Sequence, residues 1–100
     1  MTKYLHLTQE LYNMLNTKEL MIIYAIYFHG NDEQTACMEI KTLSKKTNLT
    51  KEDIEQNIST LMSKGYYGHW FLNIAGGGKQ QKLFVLNNFL FTEEGSSKHD

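Results

Sequence analysis

The stretch EIKTLSKKTNLTKEDIEQNISTLMSKGYY, Glu39 to Tyr67, decides the fold prediction because it places two helices on either side of a tight turn. Ile40 to Thr47 predicts a short helix whose Ile40 and Leu43 face inward. Asn48 suits the left-handed backbone conformation that a tight turn requires. Leu49, which follows it, is expected to pack into the core.

The second helix of this stretch is predicted from Lys51 to Lys64. Thr50 is its expected N-cap, with Asp53 three residues later. Apolar residues recur at the i, i+4, i+7 and i+8 spacing of one helix face. These residues are Ile54, Ile58, Leu61 and Met62. Gly65 is expected to end the helix.

An earlier helix is predicted from Thr17 to His29, with Asn16 as N-cap, Glu19 completing a capping box and Gly30 at its end. Its sequence, TKELMIIYAIYFH, is apolar almost all round after the first turn, so it needs cover on more than one side. We expect the helix-like segment from Leu5 to Leu15 to give part of this cover and a partner subunit to give the rest. The predicted partner interface consists of Tyr24, Ile26, Tyr27, Phe89 and Phe91.

A change of period follows Gly65 and predicts a β-hairpin. Tyr66 to Ile74 and Lys82 to Leu86 are rich in aromatic and β-branched residues, and Ala75-Gly-Gly-Gly-Lys79 separates them. Asn87 to Phe91 is apolar again and is expected to return to the first long helix. We therefore expect one domain over residues 1–92 and a flexible polar tail over residues 93–100.

The composition excludes several classes of protein. Ten lysines, no arginine and eleven acidic residues give a net charge of −1, which excludes a strongly basic binder and an acidic disordered chain. One cysteine excludes a disulfide framework. The longest apolar run, Leu20 to Phe28, is far shorter than the roughly 20 residues needed to span a bilayer. We expect a small, soluble protein of the reducing cytoplasm, with no membrane partner.

The order of elements resembles a winged helix-turn-helix domain: helix, short helix, tight turn, capped helix, glycine, hairpin. The most specific part is Glu39 to Tyr67, with its LSKKTNL segment and its KG-aromatic ending. This resemblance, which covers about Asn16 to Leu86, implies an α+β fold with a three-helix core, a β-hairpin wing and an extra N-terminal helical segment. The layout of YLHLTQELYNMLNTKELMIIYAIY is also similar to winged-helix domains of replication proteins from low-GC bacteria, their plasmids and phages.

Charge is segregated along the chain. Residues 41–82 hold seven lysines and three acidic residues, whereas the segments before and after them are net negative. This positive segment coincides with the part that meets nucleic acid in the family that the chain resembles. The predicted nucleic-acid-binding residues are Lys41, Lys45, Lys46, Lys51, Gln56, Ser59, Tyr67, His69, Lys79 and Lys82. Lys64 is a further candidate for phosphate contact, and the alternative for each lysine is an ordinary solvated surface position.

The expected recognition helix argues against tight, sequence-specific reading of a duplex. Glu52 and Glu55 lie opposite its apolar stripe and would repel phosphates. No arginine is present to make the forked contact with guanine, which lysine replaces only as a point charge. We therefore expect weak or shape-based binding, binding to single strands, or binding with the help of a partner.

Ring-bearing side chains crowd the first part of the hairpin: Tyr66, Tyr67, His69, Trp70 and Phe71. If this part is one strand, Tyr66 and Trp70 share one face, and Tyr67, His69 and Phe71 share the other. An exposed face beside Lys79 and Lys82 would suit stacking of single-stranded bases. The alternative is that all these rings cover the core.

No catalytic or metal-binding pattern is found. AGGGK lacks the first glycine and the Ser or Thr of a phosphate-binding loop and is better explained as a wing tip. Cys37 has no partner at a motif spacing, and the four histidines are scattered. We predict no enzymatic activity, no cofactor, no metal and no small-molecule substrate.

These observations lead to one functional hypothesis and two alternatives. The first is a small nucleic-acid-binding protein that acts as an accessory factor in DNA replication of a mobile element or phage. It would bind DNA, single-stranded or duplex, together with a polymerase, primase or helicase partner. The alternatives are a homodimeric transcriptional regulator and a protein–protein adaptor that never touches DNA.

Overall fold

The computed structural model describes residues 3–29, 34–78 and 81–93, except the side chains of Lys3 and Glu93. Its helical part is formed by four α-helices within these ranges: α1 (Gln9–Asn13), α2 (Thr17–His29), α3 (Ile40–Thr47) and α4 (Lys51–Ser63). A 3₁₀ turn, Asn88–Leu90, follows the last long strand. The bounds of α2 and α3 confirm the predicted ones, and α4 ends one residue before the predicted end.

Short antiparallel strands complete the described part of the chain: β1 (Lys3–Leu5), β2 (Thr35–Glu39), β3 (Gly65–Tyr66), β4 (His69–Trp70), β5 (Leu72–Gly77), β6 (Gln81–Leu86) and β7 (Phe91–Glu93). They form a three-stranded sheet in the order β2-β6-β5 and two two-stranded pairs, β1-β7 and β3-β4. The mixture of helices and antiparallel sheet confirms the predicted α+β class.

Side-chain caps fix where the long helices begin. The amide of Glu19 donates to the Asn16 side chain at 2.7 Å, and the amide of Asn16 donates to the Glu19 carboxylate at 2.9 Å. This reciprocal pair is the predicted capping box. Thr50 caps α4 by accepting from the amide of Asp53 at 3.1 Å. Asn48 between α3 and α4 has a φ of 63°, which confirms the left-handed turn.

The core lies between the helices and one face of the three-stranded sheet. Helices and strands both contribute fully buried side chains, which include Ile22, Ile23 and Ile26 of α2, Leu43 of α3, Ile54 and Leu61 of α4, Met38 of β2, and Phe84 and Leu86 of β6. Burial of such a side chain stabilises the fold by about 1.5–3 kcal/mol. The predicted stripe of α4 is confirmed, except that Met62 is only half-buried.

The predicted hairpin exists as β5 and β6, which pair from Leu72 with Leu86 to Gly77 with Lys82. A bulge between Ile74 and Gly76 interrupts the register. The sequence did not reveal β2, the third strand, which pairs with the other side of β6 from Thr35 with Val85 to Glu39 with Gln81.

The aromatic segment is not one strand from Tyr66 to Ile74, and this prediction is wrong. Tyr67 and Gly68 have φ angles of 52° and 83°, so the chain reverses there and β3 pairs with β4. Two successive positive φ angles are typical of the tightest hairpin turn. The predicted sharing of faces fails with it: Phe71 is fully buried, whereas Tyr67 is 82% exposed.

Two predictions about the cover of α2 also need correction. The segment from Leu5 to Leu15 forms only the short helix α1, although Leu11 and Leu15 do pack in the core. Ile26 and Tyr27 are buried inside the chain itself, so the structure places them in the core and not on a partner interface. At these two positions, the apolar surface of α2 is therefore covered by other residues of the same chain.

Candidate nucleic-acid interface

Three lysines from three different elements line one groove of about 410 Å³, which we name the lysine groove. It lies where β2 ends and α3, α4 and β6 meet. Its lining residues are Glu39, Ile40, Lys41, Ser44, Lys51, Glu55 and Lys82. The structure thus brings together three of the predicted nucleic-acid-binding lysines, although they are far apart in sequence.

Local structure explains why these lysines meet. Lys41 lies in the first turn of α3, directly after β2, and Lys82 lies on β6 opposite Met38, near the same end of β2. Lys51 is the first residue of α4, after the Thr50 cap. The left-handed turn at Asn48 brings the start of α4 back toward α3, and so completes the groove.

Carboxylates moderate the charge of the groove. Glu39 lies 3.5 Å from Lys41, whose side chain is 79% exposed. Such an exposed ion pair contributes little to stability, so it leaves Lys41 able to turn toward a ligand. With Glu55, the groove holds three lysines against two glutamates. The lining residues therefore carry a net formal charge of +1.

Other predicted residues are exposed on α3 and α4 but do not line the groove. Lys45 and Lys46 are exposed in the last turn of α3, and Gln56 and Ser59 are exposed along α4. Lys46 also lines a second groove, beside α2. Lys79 lies outside the described residues.

Lys64 does not belong to this surface, which corrects the prediction of a phosphate contact. Its ammonium lies 2.6 Å from a carboxylate oxygen of the fully buried Glu19 and donates to the carbonyl of Met14, also at 2.6 Å. Burial alone would raise the pKa of Glu19, but hydrogen bonds from Lys64, Thr60 and the Asn16 amide outweigh it and lower the pKa. Lys64 therefore has a structural role.

The exposed rings form a separate surface, the aromatic turn, made of Tyr67, His69 and Trp70. Lys82 faces Gly77, whereas Leu72, which follows the aromatic turn, faces Leu86. Four residues of strand separate the two ends, about 13 Å. The expectation that the exposed rings lie beside Lys82 is therefore wrong, and the structure does not join Tyr67 and His69 to the lysine groove.

The second groove, of about 500 Å³, runs along α2 and is mostly apolar. Two exposed rings mark it: Tyr24 is 42% exposed and Phe28 is 63% exposed, and they stack at 6.2 Å between centroids. We name these two residues, with Leu20 and Met21, the α2 patch. Of the predicted partner interface, only Tyr24 belongs to it, since Phe89 packs on Tyr66 and Phe71, and Phe91 packs on Tyr27.

Within the described ranges, no three His, Cys, Asp or Glu side chains lie close enough together to hold a metal ion. In the same part of the chain, the helices are too short or too polar to cross a membrane. Scans against protein-family models, curated proteins and solved structures found no match to this chain.

Proposed function

We propose that this protein is a small nucleic-acid-binding module of the winged helix-turn-helix type. In this assignment α3, the Asn48 turn and α4 form the helix-turn-helix, and β5 with β6 forms the wing. The observation that carries the proposal is the convergence of Lys41, Lys51 and Lys82 on the lysine groove. Lysines that cluster on one face attract phosphates through the release of bound counterions.

Other exposed polar residues of α3 and α4 support contact with a nucleic-acid backbone. Lys45 and Lys46 add two exposed charges in α3, and Gln56 and Ser59 add exposed hydrogen-bonding groups on α4. Glu52 and Glu55 oppose them on the same helix. We therefore propose binding that reads the backbone and shape of the nucleic acid more than its bases.

Duplex DNA is the preferred ligand in this proposal. Single-strand platforms combine rings with a basic groove that follows the backbone. Here the aromatic turn and the lysine groove lie at different ends of the sheet. That separation supports duplex binding over binding of single strands. A role as an accessory factor in replication of a mobile element or phage stays a prediction from the resemblance of the sequence.

The test is fluorescence anisotropy with labelled duplex and single-stranded oligonucleotides at low salt. We expect Lys51→Glu and Lys82→Glu each to weaken duplex binding at least tenfold. Lys3→Glu makes the same charge change in β1, outside the groove, and serves as the matched control. Absence of binding at low salt, or equal loss in the control, contradicts the proposal.

A second candidate function, binding to another polypeptide, is favoured by the α2 patch. Exposed, stacked aromatic rings beside an apolar groove are typical of protein interaction surfaces. The α2 patch and the lysine groove involve different residues, so one molecule can serve both functions.

A further inference from the structure

Within the described residues, the β2 edge of the three-stranded sheet is regular and unpaired. In the order β2-β6-β5, β2 is an outer strand, and the described residues give its outer side no pairing strand. An edge strand presents unpaired backbone groups that can bind another strand.

The hydrogen-bond pattern shows which backbone groups face outward. The amide of Leu86 donates to the carbonyl of Gln34 at 2.9 Å, directly across the pair. In an antiparallel ladder such pairs alternate, so Ala36 and Met38 also direct their backbone groups toward β6. Thr35, Cys37 and Glu39 therefore direct theirs to the open edge.

The two edges of the sheet differ in how well they are protected against pairing with another strand. On β5 the bulge after Ile74 and the glycines that follow disturb the edge. On β2 the register with β6 is regular over all five residues. Its sequence, TACME, has no lysine or proline, two of the usual means of blocking edge-to-edge pairing, and its one charged residue, Glu39, lies at the end of the strand.

We propose that β2 pairs with β2 of a second copy of this chain, antiparallel and across a two-fold axis at Cys37. This register matches outward backbone groups with outward backbone groups, because Cys37 meets its own copy and Thr35 meets Glu39. Like charges stay apart, since the two Glu39 side chains lie at opposite ends of the pair. The product is a continuous six-stranded sheet.

The surroundings of β2 fit a second copy. A two-fold axis perpendicular to the sheet keeps the helices of both copies on the same face. α2 packs on β2, so pairing of the edges brings the two α2 helices to one side of the joined sheet. An isologous interface of this kind uses one patch twice.

The first test is sedimentation equilibrium of the reduced protein from low to several hundred micromolar. We expect a concentration-dependent dimer. Cys37→Lys, which places two ammonium groups on the axis, should shift the dissociation constant at least tenfold. Asn73→Lys, an exposed position on the other outer strand, is the matched control and should leave it unchanged. A monomer throughout, or equal effects of the two variants, overturns the proposal.

The second test uses Cys37 as a probe of the register. Residues opposed across a hydrogen-bonded antiparallel pair have Cα atoms about 5.5 Å apart, within the range of a disulfide. Diamide, which takes up the two protons and two electrons of the thiols, should therefore link two chains rapidly. The double variant Cys37→Ser/Asn73→Cys keeps one exposed thiol on the other edge and should link far more slowly. Equal rates overturn the register at Cys37.

Discussion

Glu19 and Lys64 form a buried ion pair that ties the start of α2 to the end of α4, with 2.6 Å between carboxylate and ammonium. Thr60 also donates its hydroxyl to the Glu19 carboxylate, and the Asn16 side chain donates to Asn57 of α4. The capping box of one helix is thus part of the contact with another.

Removal of the ammonium should destabilise the fold strongly. Lys64→Met leaves the fully buried carboxylate of Glu19 without its charged partner, which typically costs about 3–5 kcal/mol. Urea unfolding followed by circular dichroism measures the loss. The double variant Glu19→Gln/Lys64→Met removes both charges and should recover part of it; no recovery would contradict a role for the unpaired charge.

The same pair makes stability depend on acid. The pKa of Glu19 is lower in the folded protein than in the unfolded chain. The stabilisation that its carboxylate contributes is therefore complete above the ordinary carboxyl pKa of about 4.3 and is lost as the pH falls through its pKa in the folded protein. Unfolding free energies measured from pH 7 down to pH 3 should decline less steeply in Glu19→Gln than in the wild type. Parallel curves would show that its partners do not lower the pKa of Glu19 in the folded protein.

Among the glycines of the wing, Gly77 should be the one whose substitution by alanine destabilises the protein most. Its φ is 106°, and a Cβ there would collide with the backbone carbonyl of Gln81 and with Lys82. Gly77→Ala should therefore lower the unfolding free energy by more than 1 kcal/mol. Gly76→Ala, where a Cβ meets open space, is the matched control and should change it little. Thermal melts distinguish the two, and equal melting temperatures would contradict the prediction.

Salt dependence should reveal how many phosphates the lysine groove contacts. Three lysines predict a log–log slope of affinity against salt near −3, since each neutralised phosphate contributes about −0.9. Lys41→Gln should reduce the slope by about 1 in magnitude. An unchanged slope in this variant would remove Lys41 from the interface.

The aromatic turn offers a test between ligands. Tyr67 is exposed and lies away from the lysine groove, so Tyr67→Ala should leave duplex affinity unchanged. A selective loss of single-strand affinity would instead support the alternative in which bases stack on this turn. Phe71→Ala is unsuitable for this purpose, because Phe71 is fully buried and its truncation costs about 3–5 kcal/mol.

The sequence predicted the helices well because their ends are encoded locally. Asn16 with Glu19, Asn48, and Thr50 with Asp53 each act within a few residues, so a pattern in the chain is enough to place them. The strand β2 was not predicted because its formation depends on a distant part of the chain. Five residues without a strong signal become a strand only because β6, almost fifty positions later, pairs with them.

The sequence predicted that lysines form the candidate site, but it did not predict which lysines belong to it. A count of charges along the chain groups Lys64 with the other lysines of residues 41–82, but Lys64 pairs with a glutamate far from it in sequence. The aromatic segment failed differently. Its alternation suggests a strand, but the positive φ angles of Tyr67 and Gly68 turn it into a hairpin. A positive φ is unusual for a residue as bulky as tyrosine.

Because β1 pairs with β7, from Lys3 with Glu93 to Leu5 with Phe91, the two ends of the described chain leave the molecule side by side. A short linker would join them without disturbing the core, and the chain could then be reopened near Gly78. Such a circular permutant would retain every helix while splitting the wing, and so would separate what the hairpin contributes to folding from what it contributes to binding.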